Sequence, residues 1–584
     1  MFRRFASRPW HYALLMAAHC LMTLPNLGAH TLWDMDEGVN AEAAREMLES
    51  GNWITPYYNY EIRTAKPVLL YWLQATAYLV FGVNEFAARF PAAVCGLGTV
   101  LLTYELGRRL FSRSTGLLAG LALGSCIEFC IISHAATPDA PLLFFTTLTF
   151  YLYWRGSENG GRWWFAPAGA AAGLAMLTKG PVGFVLPAGV IGLHLWVTGS
   201  VGRLWDRRAL SAIGSFFLTA GPWYALVAVE TRGKWAETFF LRENIGRFST
   251  PMDSHGGGPY YHILTLILLF APWSIFFAIT LWHAYKEARK PLAVPTSVVA
   301  IENGNAYRFL LCWFGVYLVI FSAAATKLPN YIVPLYPALA ILTARLVDRW
   351  RTSAVTLPRW AIPAATGGLG VVGAVTGAAL LILGGAIALP GQSHRPLPAV
   401  SPWAALGIIP LATATAFALA VARGRRTVSV GVLAAGAVLF MGGFAAFPPV
   451  AMNEYKVPAA FATHFGLDLS DQEVRIGTVR WLRHSTVFYV RREVTRIEDA
   501  KQADDFLAMK KPGYLLVPEA VWLEMAPAVT APHTIAGRHF DFYARGDILI
   551  VSNVEPEEVK RTPTAPSGSI EVPATPASLV KDRK

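Results

Sequence analysis

Runs of about 20 apolar residues recur from the N-terminus to about residue 449, and nothing else in this chain narrows its folding options so far. In hydrocarbon every backbone N–H and C=O must be bonded within the chain, so runs of that length form helices that cross a bilayer. The composition agrees. Of 584 residues, 54% are hydrophobic and 15% charged, against roughly a quarter charged in soluble domains. The fold class is therefore a polytopic α-helical membrane protein. The net charge of +12 does not point to nucleic acid, because Lys and Arg sit in short clusters between apolar runs and form no continuous basic face. Cys20, Cys95, Cys126, Cys130 and Cys312 all lie inside apolar runs, so no disulfide framework is expected.

Charge placement sets the topology. Arg3, Arg4 and Arg8 precede the first run and place the N-terminus in the cytoplasm. Residues 67–83 decide the rest. Read as a full span they would carry most of the later basic clusters outside, among them Arg108/Arg109/Arg113, Arg203/Arg207/Arg208, Lys286/Arg289/Lys290, Arg349/Arg351 and Arg423/Arg425/Arg426. Read as an interfacial segment they leave all of those clusters inside, which the positive-inside rule favours. Spans then fall near 10–28, 86–108, 114–133, 139–154, 163–178, 181–199, 208–229, 261–283, 306–325, 331–348, 360–388, 402–422 and 428–448, about thirteen in all. The transmembrane domain is 1–450, with a first outer loop over 30–85, including interfacial helices, and a long outer loop over 230–260. The odd count puts 451–554 outside the membrane on the periplasmic face. There, strand-like runs (VRIGTVR, TVFYVRR, GYLLVP, DILIVSN) alternate with helix-like ones and predict a small α/β domain. Residues 555–584 are rich in Pro, Thr and Ser and are expected to be disordered.

This topology gathers the unusual polar residues on the outer face: Asp34, Asp36 and Glu37, Arg63 and Lys66, His134 and Asp139, Lys179, the stretch from Glu243 to His255, and Lys327 with Tyr331. In the first loop, WDMDEGVNAEAAREMLES reads as an acidic pair opening an amphipathic helix that ends near Gly51, with Asp36 as N-cap and Glu37 in the first turn. A carboxylate there can also take a proton from an attacking hydroxyl or hold a cation. Lys66 stands at the entry to the interfacial segment, where it could bind a phosphate at headgroup depth, and Lys179 and Lys327 occupy short turns on the face that charge statistics would empty. Arg247, followed by Phe248, suits planar contacts with phosphate. Glu128 lies near the outer end of a span and is a candidate on depth alone.

The order of a first-loop Asp-Glu, KPxxxYW, TPDAP, TKGP, ENxxRF and KLPNY resembles that of the bacterial aminoarabinose lipid A transferases and the related protein mannosyltransferases, which are GT-C membrane glycosyltransferases. The likeness runs from about residue 10 to 340. It implies a GT-C fold and transfer of a sugar from a polyprenyl (undecaprenyl) phosphate carrier to an acceptor at the outer face of a bacterial inner membrane. Carried over position by position, it makes Asp36 the catalytic acidic residue, with Asp139 and Glu37 in support. Lys66, Arg247 and Tyr331, with Lys179 and Lys327 beside them, grip the carrier phosphate. Three departures stand out. Ala65 and Asn244 replace a Glu and a His that look like metal ligands in the aminoarabinose enzymes, so no metal is expected there and no cofactor is expected, with a divalent cation elsewhere left open. Val39-Asn40 replaces an Arg-Tyr after the acidic pair, which points to a different sugar or acceptor.

The expected partners are a polyprenyl-phosphate sugar, a lipid or glycan acceptor such as lipid A, and membrane lipids. No nucleic acid is expected, and the chain is expected to act as a monomer. A protein hydroxyl is the alternative acceptor. The rival from another class is a transporter of lipid-linked sugars, which would place polar residues and broken helices near mid-membrane.

Overall fold

The computed structural model describes residues 8–158, 162–252, 255–290, 302–388, 395–458, 461 and 473–554. The expected tail, 555–584, lies outside them. Every predicted span is helical: α1 (Arg8–Thr23), α4 (Glu85–Leu110), α5 (Arg113–Gly124) with α6 (Ile127–His134), α7 (Asp139–Glu158), α8 (Phe165–Lys179), α9 (Val182–Val197), α10 (Arg207–Glu230), α11 (Tyr261–Leu269) with α12 (Phe277–Ala288), α13 (Glu302–Ala323), α14 (Tyr336–Arg351), α15 (Ala361–Leu383), α16 (Ile408–Ala422) and α17 (Arg426–Ala446). The first outer loop adds α2 (Asp36–Ser50), the two short strands β1 (Tyr57–Tyr58) and β2 (Glu61–Ile62), and α3 (Leu69–Phe81). Among the described residues seven helical stretches are long and apolar enough to cross a membrane, or up to nine if each of two bent pairs is one span. The 13-residue α3 falls short of that length, as an interfacial helix does.

The two bent pairs correct the straight spans expected at 114–133 and 261–283. α5 and α6 meet at 64°, and the helix opening at Tyr261 turns by 118° before continuing through Trp273 to Ala288. Gly124-Ser125 and Pro272 interrupt runs whose hydropathy is continuous, which is why composition alone hides the breaks. The breaks answer each other. The Trp273 indole donates to Ser125 Oγ at 3.0 Å, and Ile127 N–H donates to Ala271 O at 3.2 Å. Backbone groups freed at apolar depth are thereby bonded within the protein.

α4 shows how the bundle separates its two ends. Asn84 caps it, accepting from Ala87 N–H, and Arg89 and Arg108 then stand about 28 Å apart along the axis at 1.5 Å per residue. Around Arg108 the basic clusters pair with carboxylates: Arg108 with Glu105 at 2.6 Å, Arg109 with Glu158 at 3.4 Å, Arg349 with Glu287 at 3.1 Å and Arg351 with Asp348 at 2.7 Å. Asp348 also accepts from the hydroxyls of Ser112 and Thr115. A Cβ on Gly116 would come within 2.4 Å of Tyr104 O, so α4 and α5 touch backbone to backbone at this end, as membrane helices do through small residues.

Past α17 the chain forms a five-stranded sheet in the order β4-β3-β5-β7-β6, with helices between its strands. β3 (Arg475–Val479) pairs in parallel with β4 (Val494–Ile497) and β5 (Gly513–Pro518), while β7 (Gly546–Ser552) runs antiparallel to β5 and β6 (Thr534–Asp541). One expected strand is absent. TVFYVRR is largely helical, forming α18 (His484–Val490), and the strand begins at Val494.

Candidate active site

At the end of the bundle remote from the paired basic clusters, the first loop folds back over the helix ends. α2 opens at Asp36 with Met35, not Asp36, in the capping position and without any side-chain cap. The Asp36 carboxylate is thus free of the capping duty the sequence suggests, and it is exposed. It forms no hydrogen bond or ion pair with a described residue. Glu37 is its opposite. Its side chain is 3% exposed against an Arg89 of 0%. Arg89 donates to both oxygens at 2.9 and 2.7 Å, and Trp33 N–H and Ala136 N–H donate as well, each at 2.7 Å. Burial alone would push this carboxyl up; the Arg89 guanidinium overrides it and holds Glu37 at about 2. Such a carboxylate positions the loop and has no lone pair to spare for a substrate.

Lys66, Lys179, Arg247 and Arg63 converge near Asp36, close enough for each to act on the Lys66 ammonium. Burial first, then Lys179, Arg247 and Arg63 as like charges, press Lys66 down to about 8, with Asp36 pulling the other way. Lys179 reaches Asp139 Oδ1 at 2.5 Å and lies 5.1 Å from the centre of the Tyr331 ring. Asn330 donates to the other Asp139 oxygen at 2.9 Å. Asp139 therefore holds Lys179 against the KLPNY turn. Arg63 donates to Tyr71 Oη at 2.7 Å and Asn40 Oδ1 at 3.2 Å. Cations outweigh carboxylates here, and Lys66 and the Tyr331 hydroxyl have no hydrogen-bonding partner among the described residues.

The 230–260 connection contains short helical pieces over residues 234–249. Residues Thr238–Gly246 form a wide π-type helix that passes directly into Arg247, a geometry common at functional sites. Arg247 pairs with Glu243 at 3.0 Å. Its backbone is tied to the KLPNY turn: Ala325 N–H donates to Phe248 O, Thr326 N–H to Arg247 O and Lys327 N–H to His255 O, at 2.9, 3.1 and 3.0 Å. Those bonds tie the segment that carries Arg247 to the start of the turn that ends at Tyr331. Lys327 itself turns away from the cluster. It is 5% exposed, and its ammonium donates to Ser322 O at 2.9 Å and to Ala324 O, sealing the carbonyl end of α13. Glu128 is buried within electrostatic reach of Asp139 and Lys179.

On its other side Asp36 borders a cavity of about 380 Å³. Its polar wall is the first loop with Trp33, and its apolar wall is Ile131 of α6 with Met441 and Phe444 of α17. Two residues that sequence reasoning passed over complete the site. Arg89 locks Glu37, and Lys456, just past the last span, lies 3.5 Å from the centre of the Trp33 ring. A charged residue buried near the end of an apolar run was the available signal for Arg89; Lys456 offered none. At the two positions that carry a Glu and a His in the aminoarabinose enzymes, Ala65 has no donor atom and Asn244 spends its amide on Phe239 O at 2.7 Å. These residues do not fit a metal there. Among the described residues no group of three or more His, Cys, Asp or Glu side chains is placed to hold one.

The family described as dolichyl-phosphate-mannose-protein mannosyltransferase matches residues 65–223, the stretch that contains Lys66, Asp139 and Lys179. Two uncharacterized proteins of Aquifex aeolicus are 35% identical over 339 residues and 34% identical over 316, covering 58% and 53% of this chain and 64% and 67% of theirs. The undecaprenyl phosphate-alpha-4-amino-4-deoxy-L-arabinose arabinosyl transferase of Erwinia tasmaniensis is 30% identical over 349 residues, 57% of this chain and 59% of that one. The crystal structure of ArnT from Cupriavidus metallidurans bound to undecaprenyl phosphate superposes with a TM-score of 0.76 at 25% identity, over 93% of this chain and 98% of that one. The chain shares the fold of that structure and is similar in sequence to GT-C membrane glycosyltransferases. It is a multi-pass membrane protein of that fold. In sequence it matches about three fifths of the length of its curated GT-C relatives.

Proposed function

We propose that this GT-C protein transfers a sugar from an undecaprenyl-phosphate carrier to a lipid acceptor at the periplasmic face of a bacterial inner membrane. One observation carries the reading: Arg63, Lys66, Lys179 and Arg247 converge beside an unpaired Asp36, at the end of the bundle remote from the paired basic clusters. The proposed topology has thirteen spans, with α5–α6 and α11–α12 each crossing as one bent span. That places the N-terminus in the cytoplasm and the α/β domain in the periplasm.

The chemistry follows from the charges. The acceptor hydroxyl attacks the anomeric carbon of the sugar, and the bond from that carbon to the carrier phosphate oxygen breaks. Asp36 receives the hydroxyl proton, or orients the hydroxyl for attack. The leaving phosphate gains negative charge as the bond breaks, and Lys66, Arg247 and the Tyr331 hydroxyl meet that charge already in place. Asp139 and Asn330 hold Lys179 in position, and Glu37 with Arg89 fixes the backbone ahead of Asp36. This scheme assigns Lys327 to holding the turn and calls for no metal at positions 65 and 244. The apolar wall of the 380 Å³ cavity beside Asp36 favours an acceptor that arrives with its acyl chains in the bilayer. An extended protein chain would find no such wall useful.

The test is carrier turnover. Purified protein is incubated with a panel of undecaprenyl-phosphate sugars and total bacterial lipid, and released undecaprenyl phosphate is measured. Asp36→Asn and Lys66→Ala are each expected to lower release by about 100-fold or more. Equal release by wild type and both variants would refute the site. No release with any sugar, from folded protein that binds the carrier, would favour transport.

A further inference from the structure

A second cavity lies away from the donor cluster, where the α/β domain meets the outer ends of the last spans. It has a volume of about 440 Å³ and is lined by Leu383, Arg395, Leu397, Phe540, Phe542, Tyr543 and Arg545. Nothing in the transfer scheme uses it. Its composition is that of a binding cradle: two guanidinium groups, three aromatic rings, and two leucines, one of them Leu383 at the end of α15. Arg395 stacks over the Phe540 ring at 4.8 Å and meets Asp547 at 3.1 Å, with 60% of its side chain exposed. Arg545 is exposed on the β6–β7 turn and carries no hydrogen bond or ion pair among the described residues. The floor is fixed, since Phe542 N–H donates to Tyr455 O at 2.8 Å and Ala399 N–H donates to Tyr455 Oη at 3.2 Å.

The cradle is joined to the active site through Tyr543. Its ring lies 5.0 Å from the Arg483 guanidinium, and its hydroxyl accepts from Asp34 N–H at 3.1 Å, two residues ahead of Asp36. We infer that this cradle receives the phosphate-bearing head group of the acceptor glycolipid. Guanidinium groups match phosphate oxygens in planar, bidentate fashion, the aromatic faces suit the apolar sides of sugar rings, and Leu383, at the end of the apolar helix α15, is exposed to an acyl chain. The assignment rests on the proposed lipid acceptor and narrows it: the acceptor is anionic, and the α/β domain reads its charge.

Binding separates this from the transfer reading. Wild type, Arg395→Gln/Arg545→Gln, Asp547→Asn and Lys66→Ala are placed in phosphatidylcholine nanodiscs and titrated with fluorescent bis-phosphorylated lipid A and with its dephosphorylated form. Wild type is expected to bind the phosphorylated lipid at least tenfold more tightly than the dephosphorylated one. The double Arg variant should lose that preference and Lys66→Ala should keep it, while Asp547→Asn, which frees Arg395, should match or exceed wild type. Equal affinity in wild type and the double variant would overturn the assignment, as would failure of wild type to bind. So would displacement by equimolar phosphatidylglycerol, which marks a bulk-lipid site, or loss of binding in Asp547→Asn, which marks a structural ion pair. The Asp36→Asn turnover result is independent of all of these.

Discussion

Lys66 is held as a cation without a counter-ion. Burial and its neighbours Lys179, Arg247 and Arg63 bring it to about 8, and it forms no ion pair with a described residue. A phosphate entering the cluster favours the charged form, so carrier binding and protonation of Lys66 help each other. The sign is fixed: affinity is highest below pH 8 and falls as pH rises through it. Undecaprenyl phosphate should bind wild type about tenfold more weakly at pH 9 than at pH 7, and Lys66→Arg, which stays charged, should flatten the curve. The same slope in Lys66→Arg would assign the titration to another group. Much of this cluster was legible as residue types at turns, because a lysine on an outer face breaks a statistical rule. What each side chain bonds to was not. Glu37 and Asp36 are adjacent in sequence, yet one is sealed by Arg89 from 52 residues away and the other is open.

At the scale of elements, α18 is the piece that holds the α/β domain to the first loop. Ser485 N–H and Oγ donate to the two oxygens of Asp34 at 2.7 and 3.0 Å, and Tyr489 Oη accepts from Leu32 N–H at 2.8 Å. A Cβ at Gly38 would come within 2.4 Å of Ser485 N, so only glycine lets α2 and α18 approach so closely. This contact explains why TVFYVRR is misread as a strand. Its β-branched and aromatic residues favour extended backbone, but Val487, Phe488 and Val490 are buried by packing against elements far away in the chain, and tertiary burial overrides local preference. Burial, opposed by the Ser485 hydrogen bonds, raises Asp34 to about 6. The docked state therefore holds a proton that the undocked state releases, and docking weakens as pH rises through 6. Hydrogen exchange of the α18 amides, corrected for intrinsic rates, should be roughly tenfold slower at pH 5 than at pH 7. Asp34→Asn should remove the difference. Protection that rises with pH in wild type would reverse the assignment.

For the whole molecule, the orientation of everything downstream depends on whether residues 67–83 cross the membrane. The helix there has 13 residues, and Lys66 at its entry stands with Lys179 and Arg247, which a crossing at this point would have placed on opposite faces. Helices were legible because bilayer thickness imposes one length on apolar runs. The bends between α5 and α6 and within 261–288 were not, because they are stabilised by each other and carry no hydropathy signal. The topology itself makes the last prediction. In a variant with all five cysteines replaced, single cysteines are introduced at Glu61, Thr427 and Asp505, each exposed in the structure. A membrane-impermeant maleimide applied to intact spheroplasts should label Glu61→Cys in the first loop and Asp505→Cys in the α/β domain. Thr427→Cys, beside the Arg423/Arg425/Arg426 cluster, should react only after permeabilisation. If Asp505→Cys were protected while Glu61→Cys reacted, the count of spans would be even. The α/β domain could then reach neither Asp34 nor the acceptor, and the contact between Ser485 and the first loop would have to be abandoned with it.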